Sequence, residues 1–403
     1  MSTDIEFITN LIDEYIRDNA GIISDPEFES ILLRDVKSLC GITEDPDESE
    51  DTLDDAHIID DPLYEGLYCY YLYFMPRRSF DTSFTYKNLD IQKITTNILK
   101  LNSKPQPIQR SPEWYSYRRN VITASNLYKT FGSQAVQNEL ILEKCNSQEG
   151  SSFGSTNTSS SLHWGVKYEP LSVMIYEEMY STKIHQLGCI THDTHSFIGA
   201  SPDGINGDPT STRYGRLLEI KNVKSREIDG TICEPYWIQI QVQLEVCDIE
   251  DCDYLETKFV EYDTYTDYIS DDLDMEELDE DEYEYNYVKQ TKSLYKGIII
   301  YFHKPGEPPT YEYKPLAIKD TLAETAWETS MIVEYTRNGY QWITNTYWKL
   351  VVFNCQLVLR NRLWFSYALP HVASIWDTIL AERTSGYSHR RPNSRTKKID
   401  QLA

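Results

Sequence analysis

The chain has no C-x-x-C pair, and its eight cysteines, Cys40, Cys69, Cys145, Cys189, Cys233, Cys247, Cys252 and Cys355, are scattered. That spacing indicates neither a zinc site nor a disulfide framework, so the thiols are expected to be reduced. No apolar run approaches the roughly 18 residues of a membrane-spanning helix, and no membrane partner is expected. The N-terminus, MSTDIEFITNLIDEY, carries acid where a secretory signal carries base, and it lacks a continuous apolar centre. The expectation is an intracellular protein of the cytoplasm or nucleus, not a secreted one. There is no internal repeat. Positive charge is scarce as well: 38 Lys and Arg stand against 64 Asp and Glu, a net charge of -26. Taken whole, that balance opposes coating of nucleic acid, because affinity grows with the number of phosphates neutralised.

The deficit is local. Residues 1–100 hold 8 basic and 22 acidic side chains, residues 259–290 hold 1 and 13, and residues 291–403 hold 15 and 9. The two acidic stretches account for the whole excess, so DNA contact stays open to the rest. At 403 residues and 47.1 kDa the chain has room for two or three domains.

The first segment, 1–104, begins with Ile5, Phe7, Ile8, Leu11, Ile12, Tyr15 and Ile16 at helical spacing and continues into an acidic run over 44–61. It is expected to be a mainly helical accessory region. Pro105, Pro107 and Pro112 then break the chain, and a main domain is expected over 105–383. Its pattern predicts helices over 112–119, 123–145, 164–180, 235–247, 318–338 and 364–382. Strands are predicted over 184–191, 196–201, 216–222, 254–262, 296–302, 311–315 and 348–361. A Ser-rich stretch over 147–161 and an acidic insertion over 263–285 read as surface loops. Residues 384–403, with Arg383 just before them, read as a basic flexible tail. The order of elements is α+β or α/β with a strand-rich centre.

The chemistry concentrates in GASPDGINGDPTSTRYGRLLEIK, residues 199–221. Asp203 ends a strand at a Pro-Asp-Gly turn, and Glu219 and Lys221 stand two apart on an apolar strand, which puts both on one face. A hard ion such as Mg²⁺ takes one or two carboxylates with water and substrate phosphate, which Asp203, Glu219 and the Ile220 carbonyl can supply. Lys221 beside it could orient or deprotonate water. The fragment alone also fits an ordinary turn followed by a strand. Upstream, Glu169 on a helix could add a third carboxylate or be a solvated helix residue. Arg118, Thr123 and Ser125 near a helix start suit either an anion or simple capping. Downstream, Gln239, Gln241 and Gln243 lie in an apolar segment, and buried amides need partners, so at least one should point at a site.

Five motifs in order make the pattern specific: W-x3-R-x3-ITAS (Trp114 to Ser125), WG-x3-E (Trp164 to Glu169), SPDG (Ser201 to Gly204), LEIK (Leu218 to Lys221) and QxQxQL (Gln239 to Leu244). Together they resemble the YqaJ-like viral recombinase nucleases, relatives of bacteriophage lambda exonuclease in the PD-(D/E)XK superfamily, most strongly over 111–262. The resemblance implies an α/β/α restriction-endonuclease-like core, a central mixed sheet flanked by helices. It implies a Mg²⁺-dependent DNA exonuclease, with Mn²⁺ as substitute and one or two ions per site. Asp203, Glu219 and Glu169 would hold metal, Lys221 would act on the water, and Gln241 would support it. Arg118, Ser125 and Thr123 would hold a 5′ phosphate, and QxQxQ would lie on a helix despite its strand-like alternation.

The expected function is 5′→3′ digestion of linear double-stranded DNA in recombination, repair or replication of a viral genome, in a host cytoplasmic factory or nucleus. The abundance of tyrosine, 31 residues, agrees with an AT-rich viral genome. A single-strand annealing recombinase or a single-strand binding protein are candidate partners. A homotrimer is implied by phage relatives, although the insertions here depart from them. The alternatives are a non-catalytic DNA-end scaffold, which loss of a site carboxylate or of the lysine would betray, and a structure-specific endonuclease on the same fold.

Overall fold

A computed structural model describes residues 3–41, 62–83, 89–107, 111–146, 160–271 and 295–391. The acidic run at 44–61, most of the Ser-rich stretch, the insertion beyond residue 271 and the tail beyond residue 391 lie outside the described residues.

The N-terminal periodicity forms α1 (Thr3–Asp18), which buries Ile12 and Ile16. Helices α2 (Phe28–Leu39) and α3 (Pro62–Tyr73) pack beside it. Strand β1 (Phe80–Asp81) and α4 (Ile91–Ser103) follow, then α5 (Pro112–Arg119). Ser111 caps α5 by accepting the Trp114 N–H at 3.1 Å, and Pro112 opens it.

The single helix expected over 123–145 is instead broken into β2 (Ile122–Thr123), α6 (Ala124–Leu127), a 3₁₀ turn (Tyr128–Thr130) and α7 (Gln134–Cys145). The β-branched Ile122 and Thr123 at its start pair with a strand, and the Gly132–Ser133 step interrupts the helical run, where glycine costs about 1 kcal/mol. Next come α8 (Ser161–Met179), β3 (Ile184–His185), β4 (Ile190–Thr191), β5 (Ile198–Ala200), β6 (Gly204–Asn206), β7 (Leu217–Val223) and α9 (Glu234–Cys247). The chain closes through β8 (Asp251–Glu261), α10 (Tyr265–Ser270), β9 (Lys296–His303), β10 (Thr310–Tyr313), α11 (Thr321–Arg337), β11 (Gln341–Leu359) and α12 (Arg362–Ser385). The strand expected over 184–191 is two short strands in different sheets. β6 was not anticipated.

The main sheet runs β10-β9-β11-β8-β7-β6-β3, with β1 also on β11, and only β7 and β8 are parallel. A smaller sheet runs β2-β5-β4. The result is the expected α+β arrangement, a mixed sheet flanked by helices. Leu218 and Ile220 pack with Leu171 and Ile175 of α8, whereas Leu217 packs with the α9 side chains. Alternation along β7 therefore turns Glu219 and Lys221 toward α9.

Two features bear on the organisation expected from the sequence. The core runs without a break from Ile12 and Phe28 through Leu101 to Trp237 and Trp364, so residue 105 does not divide the packing. The reason is that β1 joins the main sheet and Arg78 ties the first helices to α9. The Arg78 guanidinium donates to the carbonyls of Ile23 (3.2 Å), Ser24 (2.9 Å) and Ile232 (3.1 Å), and it lies over the Trp237 ring. The start of the basic tail is also not loose. Arg390 pairs with Glu382 at 2.5 Å, and Arg383 is spent on backbone carbonyls. Among the described residues no helix is long and apolar enough to cross a membrane.

Candidate active site

The site forms where β6 begins beside β7. Pro202 leads the chain through a bend into β6, whose register pairs Gly204 with Leu218. A Cβ on Gly204 would collide with Cγ2 of Ile184 on β3, so the glycine is required by close approach of two strands. Asp203, one residue before the pairing begins, turns back to accept the Ile220 N–H at 2.7 Å. N–H and C=O of one strand residue point to the same side, so the Ile220 carbonyl opens toward Asp203 beyond the start of β6.

Glu219 is 1% exposed and is surrounded by donors. Its Oε1 accepts from Lys221 Nζ and from Gln239 Nε2 at 2.7 Å, and its Oε2 accepts from Gln243 Nε2 at 2.7 Å. Lys221 also reaches Gln239 Oε1 at 3.3 Å and stands 4.6 Å from the Tyr236 ring centre. Burial pushes the Lys221 ammonium down, but the carboxylates of Glu219 and Asp203 outweigh it, and the net direction is up. The Asp203 carboxyl is pushed well above the ordinary range, first by burial and then by the charges of Glu219 and Glu169; Lys221 and the Ile220 N–H oppose. Glu169 acts on it from α8, on the opposite side of the sheet. Asp203, Ile220, Glu219 and Lys221 are thus brought together, and Glu169 is near enough for its charge to act on Asp203. Among the described residues no group of three or more His, Cys, Asp or Glu side chains is placed to hold a metal ion.

Gln241 is not brought there. Its Oε1 accepts the Asn361 N–H at 2.7 Å and its Nε2 donates to the Leu359 carbonyl at 3.0 Å, joining the end of β11 to the start of α12. The segment is a helix, as the resemblance implied, and on a helix residues 239 and 243 share a face while 241 points away. The supporting amides are therefore Gln239 and Gln243, which the i, i+4 spacing would have selected once α9 was read as a helix.

The anion-binding candidates gather at the neighbouring strand end. β2 runs parallel to β5 with Thr123 opposite Gly199, and Thr123 Oγ1 lies 3.3 Å from Ser125 Oγ. Tyr117 of α5 packs over Gly199, where any Cβ would meet its hydroxyl. The Arg118 guanidinium lies 4.7 Å from the Trp114 ring centre, and Arg118, Trp114 and Ser201 all meet the Cys189 thiol. Ser201 is two residues from Asp203 and was not singled out in the sequence, although the SPDG motif contains it. α6 is a single turn of four residues, so no extended helix dipole assists there.

Residues 113–250 match the family profile of the YqaJ-like viral recombinase domain, and the resemblance read from the five motifs holds over that span. An uncharacterized protein of Acanthamoeba polyphaga mimivirus is 29% identical over 327 residues, 74% of this chain. The match spans 57% of that relative's own length. Among solved structures, the alkaline exonuclease of Laribacter hongkongensis is 15% identical with a TM-score of 0.38, over 68% of this chain and 94% of that one. A second structure of that exonuclease, in complex with dAMP, is 16% identical with a TM-score of 0.37 over the same shares.

Proposed function

We propose that the chain is a divalent-metal-dependent deoxyribonuclease that digests linear duplex DNA from its 5′ ends. The observation that carries this reading is the Glu219–Lys221 pair of β7 beside Asp203, which accepts the Ile220 N–H, so that carboxylates outnumber the one ammonium there. Hard oxygen donors fit Mg²⁺ or Mn²⁺, because such ions keep several waters and need few protein ligands. Burial is the first cause of the upward push on Asp203, and the charges of Glu219 and Glu169, which a dication would offset, add to it. Asp203, Glu219 and the Ile220 carbonyl would hold the ion, with Glu169 at its margin. When bound, it would polarise the scissile phosphate and ease loss of a proton from water.

The protein's own groups do the rest. Gln239 and Gln243 hold both Glu219 oxygens, so the carboxylate cannot rotate as charge shifts in the cleft. Lys221, kept cationic by its two acidic neighbours, orients the attacking water and offsets charge on the pentacovalent transition state. Arg118, with Thr123, Ser125 and Ser201, offers cation and hydroxyl donors to a terminal phosphate. The product would carry a 3′ tail suited to single-strand annealing.

Digestion of linear duplex labelled separately at its 5′ and 3′ ends, with Mg²⁺ or with EDTA, tests the proposal. Metal-dependent release from 5′ ends, lost in Lys221→Ala, is expected. Absence of cleavage on linear, nicked, flapped and circular DNA with either metal would overturn it in favour of a non-catalytic scaffold.

A further inference from the structure

The helix that carries Arg118 ends against two cations that have no part in the chemistry above. Lys144, on α7, is 1% exposed. Its ammonium donates to the Arg118 carbonyl at 2.9 Å and lies 3.1 Å from Glu143 Oε1. Behind it, Arg383 of α12 donates to the carbonyls of Arg119 at 2.5 Å and Lys144 at 2.8 Å, and to Asn120 Oδ1 at 3.2 Å. Its guanidinium lies 5.3 Å from the Trp376 ring centre. The last carbonyls of a helix have no intrahelical partner and carry its negative pole, so cations suit them. Capping by water or by a surface residue would satisfy those carbonyls at less cost than burying a lysine, a group rarely found inside.

The location supplies a reason. α5 has only eight residues, and Arg118 sits in its last turn. The direction of the Arg118 side chain is therefore set by where that turn is pinned, and the pins come from two elements distant in sequence. At the other end of the side chain, the guanidinium stacks on Trp114 and meets Cys189 beside Ser201, two residues from Asp203. A shift of about 1 Å in such a group is enough to cost a large factor in rate or affinity.

We propose that Lys144, backed by Arg383, is a positioning residue that fixes the Arg118 turn at the distance a terminal phosphate requires, and so sets the preference for 5′-phosphoryl over 5′-hydroxyl ends. This rests on the phosphate-binding reading of Arg118. The test uses the full chain and two linear duplexes that differ only in the 5′-terminal group, with kcat and KM measured separately for each. Arg118→Ala is expected to lower the phosphoryl-to-hydroxyl ratio of kcat/KM.

Lys144→Met and Arg383→Gln should each lower the same ratio about tenfold, the worth of one misaligned charge-assisted hydrogen bond, mainly through KM on the phosphoryl end. In the Arg118→Ala background, Lys144→Met should change the ratio no further. An unchanged ratio in both clamp variants, with Arg118→Ala still effective, overturns the positioning role. So does an equal loss on both kinds of end, or an undiminished effect of Lys144→Met in the Arg118→Ala background. An unchanged ratio in Arg118→Ala itself overturns the phosphate reading instead. If Lys144→Met does not fold, Arg383→Gln carries the same comparison, because its side chain lies nearer the surface.

Discussion

The glutamines of α9 separate two accounts of the site. Gln243 is fully buried and gives its one paired donor to Glu219 Oε2, while its Oε1 has no hydrogen-bond partner among the described residues. Gln243→Met keeps the length of the side chain, removes that donor and also removes an unsatisfied acceptor. The folded state then loses a bond to a charged group worth about 1.5–3 kcal/mol, partly offset by relief of the orphaned oxygen. If Glu219 must be held in one orientation for cleavage, kcat should fall by about 10- to 100-fold, since each 1.4 kcal/mol is a factor of ten. Gln241→Leu should do the opposite. It leaves the Asn361 N–H and the Leu359 carbonyl without their partner, at about 1–3 kcal/mol each, and touches nothing in the cleft. A melting temperature lower by several degrees is expected with activity per folded molecule unchanged. Thermal denaturation and initial rates of duplex digestion at matched folded fraction measure both effects. Gln241→Leu as the inactive variant and Gln243→Met as the active one would refute the assignment of Gln239 and Gln243 as the supporting amides.

Arg78→Gln removes most of a clamp on three carbonyls, and about 2–4 kcal/mol of stability should go with it; hydrogen exchange should rise together in α1, α2 and over Ile232–Trp237, and a rise on one side alone would disprove the coupling. Gly204→Ala drives a methyl into Ile184 and should cost about 1–3 kcal/mol, with recovery in the double variant carrying Ile184→Ala; no recovery would show that the clash is not with Ile184. Asp193 accepts from Lys100 at 2.7 Å and Lys104 at 2.6 Å, and hydrogen bonds from both hold its carboxyl down to about 2. A depressed folded-state value means a contribution present above the unfolded value of about 4 and lost as pH falls toward 2. Asp193 is 48% exposed, so solvent screening keeps the effect below about 1 kcal/mol: Asp193→Asn should be slightly less stable than the parent at pH 7 and equal to it at pH 2, and an equal deficit at both would refute the ion-pair origin.

What was legible in the sequence was what local periodicity controls. Glu219 and Lys221 fall on one face of β7 because a strand repeats every two residues, and the apolar Leu217, Leu218 and Ile220 mark that strand without outside help. The helices with caps, such as α5 with Ser111 and Pro112, begin where their sequences say. The run after Ile122 misled because its strand partner, β5, lies some 75 residues away, and no local propensity reports so distant a pairing. The same applies to the division at residue 105. Three prolines break the chain there, but the core is closed by contacts such as Arg78 to Ile232 and Trp237, which sequence spacing does not record.

The misassigned glutamine follows from a subtler cause. α9 is apolar nearly all round because it is enclosed between the main sheet and α12, so it lacks the polar stripe from which helical phase is usually read. Its three glutamines dominate the middle of the helix, and their two-residue spacing imitates a strand. Phase can be recovered only by asking what each amide must satisfy. A buried carboxylate on β7 needs several donors, and two amides one helical turn apart can reach it together, whereas the third is left for the backbone gap between β11 and α12. The helix thus uses one residue type for two tasks, holding Glu219 on one side and closing the fold on the other. Arg78 ties the first helices to the Trp237 end of α9, so the helix that serves both tasks is anchored to the N-terminal helices as well as to the sheet.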